Sequence, residues 1–459
     1  MKSDLRRWVG WFCVVLALGA LSVSAPAADD VMIIRLEEPS AIPADAPSPP
    51  GGAAEPKAVE QPRTDGAPVC VDRSSNPPSI AAISAVVMDA DTGQVIYSKN
   101  PHLRRPNAST TKIMTAILLI ERRGMSQMIS ASKKACQTPF TSLNLRPGEQ
   151  ISAKDLLTGM MVRSANDAAV AVAENIGGSV PKFAALMNSK AREIGCKNTH
   201  FVTPNGLPAK GHYSSAYDLC LIARYALRYA VFNEVVTTRK HLLNSRTINR
   251  KDLVVFAKAR FLKDYPGADG IKSGYVKEAG YCYVGSATRD GWRLVSAVLK
   301  SDDSSRDTAV VMDYAFAKYK PVVVARAGKA CTRAEVECGS PASVPAAPVR
   351  DFHVVVPRSR ASVTTKCEFK PLKAPIPAGA AVGVLIAMVD GREAGRIDLK
   401  STEAVNVSIA HRVWGWTKWG GIGIVCLVMG RRYGNALTKS ARRRRRRVTA
   451  PVRGFNRFG

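Results

Sequence analysis

The central part of the chain begins and ends with alternating apolar and polar residues, which is the period of half-buried β-strands. In "AAISAVVMDADTGQVIYS" two such runs meet at Asp91-Thr92-Gly93, and in "YCYVGSATRDGWRLVSAVLK" two more meet at Asp290-Gly291. Short turns of this composition predict β-hairpins. Helical periods are found at Lys154–Ile176, Pro181–Ile194, Ala216–Ala230 and Ser305–Tyr319. Because strands at both ends enclose helices, we predict one α/β domain over residues 79–325, whose sheet joins distant segments.

Short β-rich runs continue after this domain. A Pro/Ala/Ser stretch, Gly339–Pro348, has the composition of a domain boundary. The runs "FHVVVP" and "AVGVLIAMVDGREAGRIDL" beyond it alternate as strands do. We therefore predict a small all-β domain over residues 346–411.

The N-terminal segments have compositions that place them outside the folded domains. Residues 1–28 combine a basic start, an apolar run and Ala25-Pro26-Ala27, the pattern of a cleaved secretory signal peptide. Residues 29–78 are rich in Pro, Ala and Gly and have no helical or strand period, so we expect a disordered linker. The mature protein is thus expected to work outside the cytoplasm.

A late apolar run precedes a strongly basic tail. The run, residues 413–430, carries three tryptophans near its start and is marginal in length for a bilayer span. Aromatic residues at one end and arginines at the other favour a transmembrane anchor over a helix on the membrane surface. The tail, residues 431–459, holds eleven Lys or Arg, which is over a third of the net charge of +29. Charge concentrated beyond an apolar run argues against a nucleic-acid-binding face.

The ten cysteines leave the disulfide pattern open. Eight lie between the signal peptide and the late apolar run, and eight cysteines allow about 105 pairings. Cys331 and Cys338 are close enough in sequence to form a pair, whereas Cys282 lies in an apolar strand and is expected to be a packed thiol. No Cys-x-x-Cys or His-Glu-x-x-His motif occurs, so we expect no metal site and no cofactor.

The stretch "ASTTKIMTAILLIE", residues 108–121, opens an apolar helix with four polar residues. Its Ser and Thr side chains suit an N-terminal cap, which is the favoured interpretation of this stretch alone. Ser109 and Lys112, however, are three residues apart and would share one helix face. A hydroxyl beside an amine at a helix start is also the arrangement of an activated nucleophile.

Two further motifs favour the nucleophile. Ser164-Ala165-Asn166 precedes a helical pattern, and Lys272-Ser273-Gly274 enters a predicted strand. With Ser109-x-x-Lys112, in this order along one domain, they resemble the motifs of the penicillin-recognising serine enzymes. The stretches "VMDADTGQVIYSKNPHLRRPNASTTKIMTA" and "FVTPNGLPAKGHYSSAYDL" are similar to the low-molecular-mass penicillin-binding proteins that act as D-alanyl-D-alanine carboxypeptidases.

This resemblance covers residues 79–412 and implies a fold. The catalytic domain would be of the serine β-lactamase and penicillin-binding-protein type, α/β (α+β), with an antiparallel sheet and a helical subdomain. The β-rich run resembles the carboxypeptidases' C-terminal β domain. A C-terminal membrane anchor is also usual in the family, which fits residues 413–430 and implies a location on the extracytoplasmic face of the bacterial membrane.

Two positions depart from the family pattern. The middle residue of the third motif is usually Thr and here is Ser273, which keeps the hydroxyl. The position two before the nucleophile is often Pro and here is Asn107. Asn107-Ala108-Ser109 also matches a glycosylation sequon, but a glycan there would block the cleft.

The resemblance implies three catalytic residues. Ser109 would attack the peptide carbonyl between two D-alanines and form an acyl-enzyme. Lys112 would take the proton and must be neutral, which burial beside Lys272 would promote. Ser164 would pass the proton to the departing D-alanine, and water would then hydrolyse the acyl-enzyme.

The remaining motif residues would bind substrate. Asn166 would hold Lys112 and the substrate backbone, and Lys272 with Ser273 would bind the terminal carboxylate. Gly274 would let the strand approach closely, while the backbone N–H of Tyr275, with that of Ser109, would hold the oxyanion. The implied partners are the peptidoglycan stem peptide, β-lactams as covalent inhibitors and the membrane.

Other functions are less consistent with the sequence. A class A β-lactamase needs a glutamate over the acyl bond, and no Glu-x-x-Leu-Asn stretch follows Asn166. A non-catalytic peptidoglycan-binding scaffold would not need the retained Ser109 and Lys112. His212 and Asp218 suggest a Ser-His-Asp triad, but no Gly-x-Ser-x-Gly elbow accompanies them. We expect structural roles for both, and expect Asp167 to orient a backbone turn.

Overall fold

The computed structural model describes residues 32–33, 77–251, 253–359, 361–409, 425–435 and 438–439. Within these ranges the chain forms a mixed α/β unit followed by an all-β unit, as predicted. The signal peptide, nearly all of the 29–78 linker, most of the 413–430 run and most of the 431–459 tail lie outside the described residues. Residues 425–435 are helical and exposed. No helix among the described residues is long and apolar enough to cross a membrane.

A five-stranded antiparallel sheet forms the centre of the first unit. Its strand order is β3-β2-β10-β9-β8, so segments from both ends of the unit meet in the middle. Both predicted hairpins are confirmed, β2–β3 and β9–β10. Asp290 and Gly291 both have positive φ, as the two-residue type I′ hairpin turn requires. The five strands are β2 Ser84–Asp89, β3 Val95–Lys99, β8 Ala268–Val276, β9 Gly280–Arg289 and β10 Trp292–Ser301.

Helices pack on both sides of this sheet. Helix α1 is buried over its first eight residues and lies at the centre of the largest apolar cluster, among helices of the other segments. The helices are α1 Lys112–Arg122, α2 Lys133–Cys136, α3 Ala153–Thr158, α4 Asn166–Gly177, α5 Val180–Ile194, α6 Ala216–Ala226, α7 Ala230–Thr237, α8 Arg260–Asp264 and α9 Ser304–Lys318. Two-stranded ribbons complete the unit: β4 Met128–Ser130 with β5 Gln150–Ser152, and β6 Lys240–Leu242 with β7 Val254–Phe256.

The predicted helix over Lys154–Ile176 is interrupted in the structure. Helix α3 continues into a π-helical turn, Gly159–Arg163, and then breaks at Ser164, which adopts a left-handed conformation with φ 67° and ψ 34°. Ala165 is extended, and α4 restarts at Asn166. The residues on either side of Ser164 face the same core, so the apolar period of the sequence continues through the break. The prediction of one continuous helix is therefore wrong.

The all-β unit begins at Tyr319, ahead of the predicted residue 346. Gly339–Pro348 is not a linker: it forms two strands, and Val344, Ala346 and Ala347 within it are buried. Its prolines and small residues hide a strand pattern, so the predicted boundary there is wrong. The strands are β1 Met32–Ile33, β11 Tyr319–Ala325, β12 Thr332–Glu335, β13 Gly339–Ser340, β14 Ser343–Pro348, β15 Phe352–Pro357, β16 Val363–Phe369, β17 Ala381–Val389, β18 Arg392–Ser401 and β19 Asn406–Val407.

The two units meet at the first hairpin of the α/β unit. The Asp89 carboxylate accepts hydrogen bonds from Trp292 Nε1 at 2.8 Å and from His353 Nε2, on β15, at 3.0 Å. Burial alone would raise the pKa of Asp89, but the hydrogen bond and charge of His353, with the bonds of Thr92, lower it to about 2. Burial by itself would lower the pKa of His353, but the hydrogen bond and charge of the Asp89 carboxylate raise that pKa overall. A partly buried Asp89–His353 pair, ionic when His353 is protonated, therefore joins the units.

The cysteines of the described residues are all free thiols, so the Cys331–Cys338 pair considered from the sequence does not form. Cys282 is fully buried, and its thiol donates to the carbonyl of Ala279 at 3.7 Å. The prediction of a packed thiol at Cys282 is confirmed.

Candidate active site

The nucleophile candidate lies on a tight turn that its neighbours hold in place. Ser109 belongs to a 3₁₀ turn, Ala108–Thr111, immediately before α1. The Asn107 side chain is fully buried and donates through Nδ2 to Thr110 Oγ1 at 3.1 Å and Thr111 Oγ1 at 2.9 Å. Because Asn107 is enclosed, its sequon cannot carry a glycan in the folded protein.

The Lys112 amine is buried beside Ser109 and has the surroundings that a general base would need. Its Nζ lies 2.9 Å from Ser109 Oγ, 2.8 Å from Asn166 Oδ1 and 2.8 Å from the carbonyl oxygen of Asn205. Burial, reinforced by the nearby Lys272 charge and opposed by Asp167, holds the pKa of Lys112 well below its usual value. A neutral amine has two N–H donors and one lone pair. The two carbonyl oxygens take both donors, which leaves the lone pair for the Ser109 hydroxyl.

The second motif is fixed by the interrupted helix. Asn166 starts α4, and its side chain bridges two segments: Oδ1 accepts from Lys112, and Nδ2 donates to the Pro139 carbonyl at 2.9 Å. Its backbone N–H donates to Thr141 O at 2.7 Å. Ser164, in its left-handed conformation, lines the same pocket as Lys272 and Ser273. Strained backbone is often kept where it serves a site.

The third motif lies on β8, directly beside the nucleophile turn. A Cβ placed on Gly274 would lie 2.7 Å from the backbone nitrogen of Ser109, so only glycine permits this approach. The Lys272 ammonium is nearly buried and donates to Ser273 O at 3.0 Å, and burial lowers its pKa to about 7. Tyr275, the next residue, is exposed, and its ring lies against that of Tyr281.

A pocket of about 90 Å³ connects the second and third motifs. Ser164, Lys272 and Ser273 are among its polar lining residues, which also include Thr141, Arg163, Thr238 and Lys258, while Val236 and Leu262 are among its apolar ones. Its size and charge suit a small residue that ends in a carboxylate. The structure therefore brings the predicted residues of all three motifs together around Ser109.

Comparison with known proteins agrees with this geometry. The family model of D-alanyl-D-alanine carboxypeptidase (peptidase S11) matches residues 71–303, and that of the penicillin-binding protein 5 C-terminal domain matches residues 319–407. The chain belongs to the D-alanyl-D-alanine carboxypeptidase family.

Relatives in this family share most of the chain. The D-alanyl-D-alanine carboxypeptidase DacF of Bacillus subtilis is 33% identical over 354 residues, which are 74% of this chain and 90% of DacF. DacA of Escherichia coli K12 is 29% identical over 337 residues, 69% of this chain and 81% of DacA. A crystal structure of penicillin binding protein 5 from Haemophilus influenzae superposes with a TM-score of 0.63 at 28% identity, covering 72% of this chain and 100% of that one.

Several backbone groups of the carboxypeptidase site were not identified from the sequence. The carbonyl oxygens of Asn205 and Pro139 hold Lys112 and Asn166 respectively. Every residue type has a backbone carbonyl, so the sequence does not reveal which one lines the site, although the "TPNGLP" turn marks a tight loop at Asn205. The Asp167 carboxylate accepts the backbone N–H groups of Leu143 and Leu145, so its predicted role in orienting a turn is confirmed.

His212 and Asp218 form no triad with Ser109. Thr111 Oγ1 lies 2.9 Å from His212 Nε2, and His212 Nδ1 accepts the backbone N–H of Val202 at 3.0 Å. Burial, with the charge of His200, lowers the pKa of His212 to about 4, so it is neutral. Asp218 accepts from Asn198 N at 2.6 Å. The structural roles predicted for both residues are confirmed.

Proposed function

We propose that the chain is a serine-type D-Ala-D-Ala carboxypeptidase that trims peptidoglycan stem pentapeptides and is acylated by penicillin. The observation that carries the proposal is the Lys112 amine, 2.9 Å from Ser109 Oγ, with both N–H groups engaged elsewhere. A lone pair so directed removes the hydroxyl proton as Oγ attacks the carbonyl.

The other motif residues complete the reaction. The substrate carboxylate lies against Lys272 and Ser273, and the oxyanion accepts the backbone N–H groups of Ser109 and Tyr275. When the peptide C–N bond breaks, the proton taken by Lys112 passes through Ser164 to the leaving D-alanine amine. Water then adds to the acyl-enzyme and releases the shortened peptide and free Ser109.

The pocket favours a carboxypeptidase over a β-lactamase. Of the described residues that line it, none is a carboxylate that could activate water for fast deacylation. A β-lactam adduct on Ser109 is therefore expected to persist. The intact Ser109–Lys112 contact likewise argues against a non-catalytic scaffold.

The test is D-alanine release from a peptide ending in Lys-D-Ala-D-Ala, using the purified full-length chain and its Ser109→Ala variant. We expect release and covalent labelling by a fluorescent penicillin in the wild type, and neither in the variant. Labelling of Ser109 without D-alanine release would instead indicate a transpeptidase that needs an amine acceptor, and labelling of the variant would refute Ser109 as nucleophile.

For the location, we propose an exported enzyme anchored to the extracytoplasmic face of the membrane by residues 413–430, with the 431–459 tail inside. The support is sequence pattern: a signal peptide over residues 1–28, a 29–78 tether, and aromatic and basic residues at opposite ends of the late apolar run. Protease added to intact spheroplasts should spare the tail, whereas its digestion from outside would refute a spanning anchor.

A further inference from the structure

A fully buried ion pair lies outside the set of motif residues. The Arg246 guanidinium, from the segment between β6 and β7, pairs in a bidentate manner with Glu149, just before β5: Nε lies 2.9 Å from Oε1 and Nη2 lies 3.1 Å from Oε2. The Glu149 carboxylate also accepts the backbone N–H groups of Arg146 at 2.8 Å and Asn249 at 3.1 Å. Because desolvation offsets much of the attraction within a buried pair, stability alone does not explain its presence.

The same guanidinium binds the backbone of the loop over residues 139–145. Arg246 Nη1 donates to Leu143 O at 3.0 Å, and Nη2 donates to Asn144 O at 3.4 Å. The Asp167 carboxylate, in the first turn of α4, accepts the Leu143 N–H at 3.0 Å. Leu143 is therefore held at both its N–H and its C=O, by two charged side chains from different segments of the chain.

The 139–145 loop adopts a conformation that its own residues do not favour. Phe140 has φ 70° and Asn144 has φ 53°. A positive φ is a genuine outlier for a bulky side chain such as that of Phe140, and this side chain is 80% exposed, so it gains little from packing. Such a backbone persists only where the surrounding structure holds it, and the bonds from Arg246 and Asp167 supply that hold.

The strained Phe140 lies between the two residues whose carbonyls bind Asn166. Pro139 O accepts from Asn166 Nδ2 at 2.9 Å, and Thr141 O accepts the Asn166 backbone N–H at 2.7 Å. Asn166 Oδ1 in turn lies 2.8 Å from Lys112 Nζ. A path of hydrogen bonds thus leads from the buried pair, through the loop, to the proposed base.

We propose that Arg246, held by Glu149, is a positioning residue: it fixes the 139–145 loop, and through Asn166 it directs the Lys112 lone pair at the Ser109 hydroxyl. The inference rests on the proposed function, in which Lys112 is the base. Arginine suits this role because one planar guanidinium supplies both the bidentate pair and the two carbonyl contacts, whereas a lysine ammonium is a compact point charge.

The test measures the pH profile of the second-order rate constant for acylation of the full-length protein by a fluorescent penicillin, with thermal unfolding of the same samples. Two variants separate position from stability. Arg246→Lys keeps a positive charge beside Glu149 but loses the forked contacts with the loop. The double variant Glu149→Met with Arg246→Met removes both charges, so neither is left buried alone, and apolar replacement of a buried pair is often neutral for stability.

Both variants should acylate about 10- to 100-fold more slowly than the wild type while folded, since a misplacement of about 1 Å costs on the order of 100-fold in rate. The acidic limb of the profile, which reports protonation of the base, should also move to lower pH. Without the Asn166 acceptor the Lys112 ammonium is less stabilised, so the pKa of Lys112 falls further. A change in stability alone would leave the limb in place.

Ser245→Ala is the matched control. Ser245 precedes Arg246 in the same segment, and its hydroxyl bonds to Asp155 at 2.7 Å and to Ser152 at 2.9 Å. The change loosens this segment but leaves the loop contacts of Arg246 in place, so the rate and the acidic limb should stay as in the wild type.

Failure of this inference differs from failure of the function. Wild-type acylation in both folded variants, an acidic limb that does not move, or the same changes in Ser245→Ala would overturn the positioning role while leaving the carboxypeptidase intact. No penicillin acylation of Ser109 in the wild type, together with no D-alanine release, would overturn the proposed function and this inference with it.

Discussion

Replacing Gly274 with alanine tests how closely β8 must approach the nucleophile. The added Cβ would lie 2.7 Å from Ser109 N and 3.0 Å from Ala108 Cβ. An ordinary contact begins at 3.4 Å, so the strand and the turn must separate by about 0.7 Å. Gly274 does not have a positive φ, so the effect comes from this contact and not from backbone strain.

The expected loss follows from that displacement. The proposed oxyanion site uses N–H groups from both segments, Ser109 on the turn and Tyr275 on β8. A misplacement of about 1 Å costs on the order of 100-fold in rate, so we expect acylation to slow by about 30- to 100-fold, or about 2–3 kcal/mol. Overpacking should also lower the free energy of unfolding by about 1–3 kcal/mol.

The assay is the second-order rate constant of acylation by a fluorescent penicillin, with thermal unfolding measured on the same samples. Gly124→Ala is the matched control, because its Cβ would meet only the Gln127 side chain, at 3.6 Å. We expect wild-type acylation in that variant. If Gly274→Ala also acylates at the wild-type rate while folded, close contact between β8 and the turn is not needed for reaction, and the geometric argument is refuted.

Three further predictions concern ionisable groups. Lys112→Met should slow penicillin acylation by about 10²- to 10⁴-fold by removing the base; retained acylation in stopped-flow measurements would contradict this. Because the pKa of Lys272 is about 7, kcat/KM for a carboxylate-terminated peptide should fall as pH rises through that value. Lys272→Arg, which stays charged, should lose that limb of the pH profile. Asp89 raises the pKa of His353. The stabilisation that this pair gives the folded state is therefore complete below about pH 6.5 and is lost as the pH rises through the raised pKa of His353. His353→Ala should therefore lower the free energy of unfolding by about 1.5–3 kcal/mol at acidic pH and by less at alkaline pH in urea titrations, and an equal loss at both would disprove the linkage.

The sequence predicts those parts of the fold that local chemistry determines. The two hairpins follow from their Asp- and Gly-containing turns, and the helices from their period, because each depends on residues within one segment. The break at Ser164 and the strand Ser343–Pro348 do not follow. In the first case Ser164 adopts a left-handed conformation within an unbroken apolar pattern. In the second, the pairing of Ala346 with Ser401, far along the chain, overrides the poor strand propensity of proline-rich sequence.

The site is predictable in its side chains and not in its backbone groups. Ser109, Lys112 and Asn166 are recognisable because their chemistry depends on residue type and order. The Asn205 and Pro139 carbonyls, which hold Lys112 and Asn166, could come from any residue at those places. Their positions are set by loops that pack against α1 and α4 only in the folded protein.

The polar start of the α1 segment shows how the structure decides between a cap and a nucleophile. A capping side chain would accept a backbone N–H at the helix start, but neither Asn107 nor Thr111, the residues that precede the 3₁₀ turn and α1, makes such a bond. Ser109 Oγ is instead hydrogen-bonded to Lys112 Nζ. Backbone carbonyls take N–H groups of this turn without any side-chain cap, since that of Thr110 donates to Asn107 O at 3.3 Å and that of Lys112 to Ser109 O. A hydroxyl used as a cap would be occupied by the backbone, whereas one that is hydrogen-bonded to the Lys112 amine can lose its proton to that amine and attack a substrate, as the proposed function requires.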